Sequence, residues 1–510
     1  MIKRRFASSA FATMLNLIIQ FSISFFLTSY IVETLGEEEY GFFSLANNIV
    51  NYALIITSAL NSMSARFIGY ELHNGRTDKA LKYYASVLFG NIIFSVLLII
   101  PALLGVIYLQ HLINIPANIV REVKLLFLIV FVSLCCNLIF AVFGGVYTIK
   151  NRMDVLGVIN ICANVTKALV LVAMYWLLKP SIIYMGIATL VAALVLGLGN
   201  LINKKRYCPE LKFSIKNVNG ASVKEILVSG IWNSLNQLSI TLLHGLDLLL
   251  ANLMVSSVAM GVLSVANTLP GVITTCISAL AALYMPKFLE YFSHDDYGAL
   301  LKEAKNSIRF MTVISCIPIG FLIAFGQPFF RLWTPSTDTQ MVYNLSLLVI
   351  LPQFSGGAIN SFNYLYTAAN KVKWQAIVLL LTGLINVSLV FILLQCSSLG
   401  IYAIAGVSAI MGLVRNYVFN APYAAHCIKQ PWYIFYMDMV KSLIALGLTV
   451  GLGFWVQEFF AVNSWLELLV YGAVSIGVGA IINILLVLSK EQKKELRQKI
   501  KGVFHRSNGD

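Results

Sequence analysis

Charge is scarce in this chain. Of its 510 residues, 11% are Asp, Glu, Lys or Arg, against 59% hydrophobic. Soluble globular proteins carry about 25% charged and roughly 45–50% apolar residues, so an ordinary water-soluble enzyme is excluded. Long loops are scarce too: the longest polar stretches, near 203 to 228 and 287 to 306, are too short to hold a soluble domain. No G-x-x-x-x-G-K-[ST] sequence occurs, which excludes a P-loop ATPase. H-E-x-x-H and G-x-S-x-G are missing as well, and the expectation is no catalytic residue, no metal site and no cofactor. Cysteine chemistry is equally thin. Cys135, Cys136, Cys162, Cys276 and Cys316 fall in apolar runs, while Cys208, Cys396 and Cys427 have no evident partner or metal-ligand spacing.

What the chain has instead is apolar length. About fourteen runs, from residues 8 to 32 through 465 to 489, are long enough to cross roughly 30 Å of hydrocarbon as helices. A barrel would show short alternating strands, so the fold expected is all-α, a polytopic membrane protein. The N-terminal MIKRR resembles the start of a secretory signal, but the apolar run after it is long and lacks an A-x-A cleavage pattern. It reads as a first span that is retained.

The basic residues fix an orientation. With both termini cytoplasmic, 31 of the 36 Lys and Arg residues fall on the inner side, four (Arg121, Lys124, Lys179 and Arg331) on the outer side, and Lys167 lies inside a span. That bias is the positive-inside pattern. It also accounts for the net charge of +14 without nucleic acid, because the charges are spread over short loops. The C-terminal KEQKKELRQKIKGVFHR admits two readings, a tail held at anionic headgroups or a solvated tail.

Residues 41 to 60, GFFSLANNIVNYALIITSAL, return at 261 to 280 as GVLSVANTLPGVITTCISAL, with seven of twenty positions identical at an offset of 220. Tyr147-Thr148-x-x-Asn151-Arg152 returns as Tyr366-Thr367-x-x-Asn370-Lys371 at 219. The chain therefore reads as two pseudo-symmetric six-helix halves, 1–202 and 229–421, joined by a basic linker at 203–228 and followed by two extra helices at 422–489 and a basic tail at 490–510. Internal repeats of this kind mark transporters that move one half against the other.

Polar residues inside spans carry what chemistry remains, since each is costly in lipid and tends to face a bundle interior or a hydrated cavity. Ser9, Thr13, Asn16, Gln20 and Ser24 share one face of the first span. Asn47 and Asn51 continue such a stripe on the second, Asn267 on its repeat, and Asn236, His244 and Asp247 mark the seventh. Small polar residues also join helices to one another, so each stripe has a packing reading beside the cavity one. The sharpest single residue is Lys167. It sits halfway along the fifth span on one face with Asn160 and Asn164, and its counterpart in the second half is Asn386. Arg66 and Arg415, toward the inner ends of their spans, either line a cytoplasmic mouth or snorkel to headgroups. For His244 and Asp247, a structural hydrogen bond and a proton relay both remain open.

The order of elements, the GxxSLAN-like start of spans two and eight and the basic inner loops after them resemble the Wzx-type flippases, the polysaccharide transporter branch of the multidrug/oligosaccharidyl-lipid/polysaccharide exporters, over roughly residues 6 to 489. The resemblance implies a bacterial plasma-membrane protein that moves polyprenyl-pyrophosphate-linked oligosaccharides to the outer leaflet for O-antigen, capsule or exopolysaccharide. The partners it implies are membrane lipids, a glycan polymerase and chain-length machinery. A D-R pair often found at the outer end of the seventh span is not reproduced, because Asp247 is followed by Leu248. Multidrug and lipid II exporters of the same superfamily are the nearer alternatives. The first runs into the lack of any acid in the first span before Glu33, and the second into the single cation, Arg66, across the first two spans. A membrane glycan polymerase or ligase would need a larger outer loop than 331 to 341 provides.

Overall fold

The computed structural model describes residues 2–150, 152–489, 492 and 493, without the side chains of 2–14, 16, 17 and 56. Among these residues the chain is helical, with turns and loops and no strand. In order, the helices are α1 Ile2–Leu35, α2 Glu37–His73, α3 Thr77–Ile107, α4 Leu109–Leu112, α5 Val120–Ile149, α6 Met153–Leu177, α7 Ile183–Tyr207, α8 Gly220–Ile240, α9 Asp247–Met254 and α10 Ser257–Ala281. They continue as α11 Met285–Ser293, α12 Tyr297–Trp333, α13 Thr339–Ile350, α14 Gln353–Ile359, α15 Phe362–Ala368, α16 Val372–Cys396, α17 Ile401–Val414, α18 Ala421–Cys427, α19 Tyr436–Phe459 and α20 Trp465–Val487. Thirteen helical spans are long and apolar enough to cross a membrane, and α2, which bends by 62° between Ile55 and Thr57, makes up to fourteen. The protein is a multi-pass membrane protein.

Local chemistry sets the boundaries. Gly36, at φ +104°, turns the chain between α1 and α2 in a conformation that side chains resist. Asp296 and Asp338 accept from the first-turn N–H groups of Ala299 and Met341, and Ser464 with Glu467 forms a capping box at the start of α20. Some spans that read as continuous in sequence are broken. The run 342 to 367 is divided into α13, α14 and α15, with the first break at Leu351 and Pro352, where the ring removes a donor. The seventh and twelfth spans each contain one wide turn of π-helix, Thr241–Gly245 and Arg415–Asn420.

Packing divides the chain into two compact units. Residues 1–265 with 379–401 form one, and 266–378 with 402–510 the other. In the first, α5 packs on α7 and α3, α1 on α6, and α2 on α8. Gly41 and Gly261, the glycines that open the two copies of the repeat, meet there: a Cβ on Gly41 would lie 2.8 Å from the Gly261 Cα. Nearby, Asn114 and Asn252 each donate from the side-chain amide to the other's backbone carbonyl, at 2.8 and 3.0 Å. The Asn114 N–H adds a third bond, to the Asn252 Oδ1 at 2.8 Å.

In the second unit, the 37-residue α12 is the buried spine, and the extra helices α19 and α20 lie along it. Thr449 of α19 is the pin of that joint. Gly320 of α12 and Gly479 of α20 bring their backbones against it, and Asn483 donates to its Oγ1 at 2.9 Å. Small residues and buried amides are how helices associate where lipid supplies no hydrophobic contrast.

The repeat is structural as well as sequential. α2 ends with the Arg76 N–H bonded to the Glu71 carbonyl at 2.9 Å around Gly75, and α11 ends with Asp296 bonded to Tyr291 at 3.0 Å around Asp295, each 220 residues on. After α5 and α15 the same six-to-one stop recurs, Arg152 to Tyr147 at 2.8 Å and Lys371 to Tyr366 at 2.9 Å. Asn370 takes φ +52° for that stop, while its counterpart Asn151 lies outside the described residues. Tyr147 then donates to the Asn200 side chain at 3.0 Å and Tyr366 to the Asn420 carbonyl at 2.7 Å, so the echoed tyrosines tie equivalent helices.

Candidate functional site

Lys167 lies half-buried in the middle of α6, a 25-residue helix from Met153 to Leu177. Its ammonium stands over the ring of Phe43 on α2, 5.4 Å from the ring centroid. No ion pair to it is formed among the described residues. A cation over an aromatic face is worth about 2 kcal/mol when desolvated, well short of the cost of holding a charge in hydrocarbon. The ring by itself does not meet that cost. Asn160 and Asn164 sit half-buried on the same face of α6. Asn47 follows Phe43 by one turn and donates back to its carbonyl at 2.8 Å.

The other expected residues fall into separate places. Asn386 is buried and donates to the Leu243 carbonyl at 3.0 Å, inside the π-helical turn that precedes Asp247. That turn carries His244, exposed, and is pinned from α2 by the Tyr52 hydroxyl, which donates to the Gly245 carbonyl at 2.5 Å. Asn236 is half-buried one turn before it on α8, and Asp247 is half-buried at the head of α9. Gln20, Asn51 and Arg66 are exposed, and Asn267 is half-buried on α10. Asn16 lies in α1, but its side chain is outside the described residues.

Arg415 belongs to the second unit and begins the other π-helical turn. Among the described residues its enclosed Nε has no hydrogen-bond partner, nor do the enclosed Gln353 Oε1 and Ser355 Oγ of α14. Asn416 beside it is fixed, donating to the Pro352 carbonyl at 2.9 Å. Both wide turns therefore coincide with residues singled out by polarity, and such turns in helices are frequent at functional positions.

Part of the expected polar stripe is joinery. Ser58 and Ser234 share a hydrogen bond at 2.7 Å, Asn233 donates to Ser62 at 3.0 Å, and a Cβ on Gly230 would meet the Ala59 carbonyl carbon at 2.6 Å. These hold α2 to α8. The residue that sequence reasoning missed is Phe43: it is apolar in an apolar run, and only its place one turn before Asn47 hints that it faces the same way.

A bundle of this many spanning helices, built on an internal repeat and holding in mid-span a cation with no ion pair among the described residues, has the fold of known membrane transporters. Solved transporter structures share the fold. An inward-facing multidrug resistance MATE family transporter of the MOP superfamily matches with a TM-score of 0.68 at 13% identity, covering 82% of this chain and 98% of that one. The lipid II flippase MurJ in an inward closed conformation matches with a TM-score of 0.67 at 15% identity over 93% and 98%. The chain belongs to the polysaccharide biosynthesis protein family, whose profile matches residues 6–292. It is also 27% identical over 480 residues to the uncharacterized membrane protein EpsK of Bacillus subtilis (strain 168), covering 92% of this chain and 93% of that one.

Proposed function

We propose that this protein is a flippase that carries undecaprenyl-pyrophosphate-linked oligosaccharides from the inner to the outer leaflet of the bacterial plasma membrane, with both termini cytoplasmic. The single observation that carries the reading is Lys167, a mid-span cation with an aromatic ring but no carboxylate among the described residues. It suits a pyrophosphate that must leave its hydration behind. Asn160, Asn164 and Asn47 supply amides for the same anion and the first sugars, while Arg66 serves its approach from the cytoplasm. Moving about two negative charges out of a cell that is negative inside releases roughly 2.3 kcal/mol per charge per 100 mV, about 4.6 kcal/mol in all. ATP hydrolysis is then unnecessary. Alternating access of the two sequence halves is the proposed motion. The lipid tail stays in the membrane, and a glycan polymerase with its chain-length partner receives the product.

The fold alone also suits a lipid II or drug exporter. Against the drug reading stands a first span with no acidic residue before Glu33 to couple protons. The test is Lys167→Ala in cells whose only copy of this protein is the variant. Surface glycan should disappear, the lipid-linked unit should accumulate, and protein abundance should stay near normal, with Lys167→Arg retaining part of the export. Normal export by Lys167→Ala sinks the proposal.

A further inference from the structure

At the end of the first unit that the charge bias assigns to the outside, α5 opens a cavity of about 490 Å³ against the last turn of α3. Four of its lining residues, Arg121, Lys124, Leu125 and Leu128, are spaced by three, one and three, so they form a single face of α5. Read from the helix start toward the membrane, that face is cation, cation, apolar, apolar. Val106 of α3 closes the apolar wall.

Two features make the pair of cations notable. Basic residues are rare at this end of the molecule, where only four of 36 fall, and two of those four share this cavity. They also stand in the first turns of a helix, where the macrodipole disfavours positive charge. Local stability does not explain Arg121. Lys124 donates to the Ile107 carbonyl at the end of α3 at 2.8 Å. The Arg121 side chain is exposed and makes no ion pair among the described residues, and the adjacent acid, Glu122, accepts from Ser181 at 2.8 Å.

We propose that this cavity holds the phosphate of an anionic membrane lipid, with Arg121 as the direct contact, Lys124 as the second charge, and the lipid chain running down Leu125 and Leu128. The volume lies within the roughly 300–1,000 Å³ range of small-molecule sites. Guanidinium offers phosphate two parallel donors, and the gradient from charge to hydrocarbon along one helix face matches an amphiphile and not a free ion. The site is separate from Lys167 and does not depend on the flippase reading.

The test uses the purified full chain and native mass spectrometry with phosphatidylglycerol. The wild-type protein should retain one phosphatidylglycerol that phosphatidylcholine does not replace. Arg121→Gln should weaken it by roughly tenfold, the loss expected for one charge-assisted contact, while Arg121→Lys keeps part. Lys179→Gln, which removes a cation outside the cavity, should change nothing. Unaltered lipid binding by Arg121→Gln, or an equal loss with Lys179→Gln, overturns the site. Displacement by inorganic phosphate at millimolar concentration overturns the lipid as its occupant.

Discussion

The meeting of Gly41 and Gly261 leaves no room for a methyl group. A Cβ on Gly41 would lie 2.8 Å from the Gly261 Cα, 2.9 Å from its nitrogen and 3.0 Å from the Met260 Cε. Carbon atoms rest about 3.5–4.0 Å apart, so Gly41→Ala forces α2 and α10 to separate by roughly 1 Å. Overfilling a packed contact costs about 1–3 kcal/mol, and if that cost falls only on the conformation in which these helices touch, its population drops about 5- to 150-fold. The readout is a cross-link. Cysteines at Tyr40 and Met260 in a cysteine-free protein should join in high yield, and closing the bond should stop transport until a reductant opens it. Adding Gly41→Ala should cut that yield steeply at unchanged protein abundance. A full cross-link that leaves export untouched refutes the motion, and an unchanged yield with Gly41→Ala refutes the crowding.

Phe43→Leu keeps the volume but removes the ring under Lys167; export should fall while abundance holds, because about 2 kcal/mol of cation stabilisation is lost. Asn252→Ala strips two of the three hydrogen bonds from the joint with Asn114, sparing the one accepted by its own backbone carbonyl, and thermal unfolding in detergent should register a loss of about 1–3 kcal/mol; a Tm equal to wild type would count against the joint. Burial pushes the Cys208 thiol up to about 11, so at pH 8 only about a thousandth is the reactive thiolate, and maleimide should label exposed Cys396 while sparing Cys208 until the protein is unfolded. Cysteines at Glu38 and Lys205 should be reached by an impermeant reagent from outside and only from inside, respectively; labelling of the second in intact cells reverses the orientation.

The spans were legible because length and apolarity are properties of a segment by itself. The whole repeat was legible in outline for the same reason, and the helix stops at Gly75, Asp295 and Asn370 show that its echoes encode turns as well as faces. The candidate site was legible only in its polar half. Lys167 stands out in any reading of the fifth span, whereas Phe43 acquires meaning only from the neighbour it faces. The breaks at Pro352 and in the two π-helical turns were hidden, since backbone register depends on what each helix packs against. Asn386 illustrates the limit from the other side. Alignment pairs it with Lys167, yet its amide is spent on the carbonyl of Leu243.

The wide turn at Arg415–Asn420 bears on how the two halves diverged. Helices α6 and α16 begin and end 219 residues apart, while the stops of α7 and α18 lie 220 apart. Between those points the later copy is therefore longer by one residue. An extra residue in an α-helix would rotate everything after it by about 100° and turn Tyr423 and Cys427 off their neighbours. A π turn takes up the extra residue in one broad loop of backbone and returns the helix to register. Arg415 stands at the first position of that loop. The Arg415 charge thus sits where the backbone takes up the extra residue, at a widened turn that leaves the helix on either side in register.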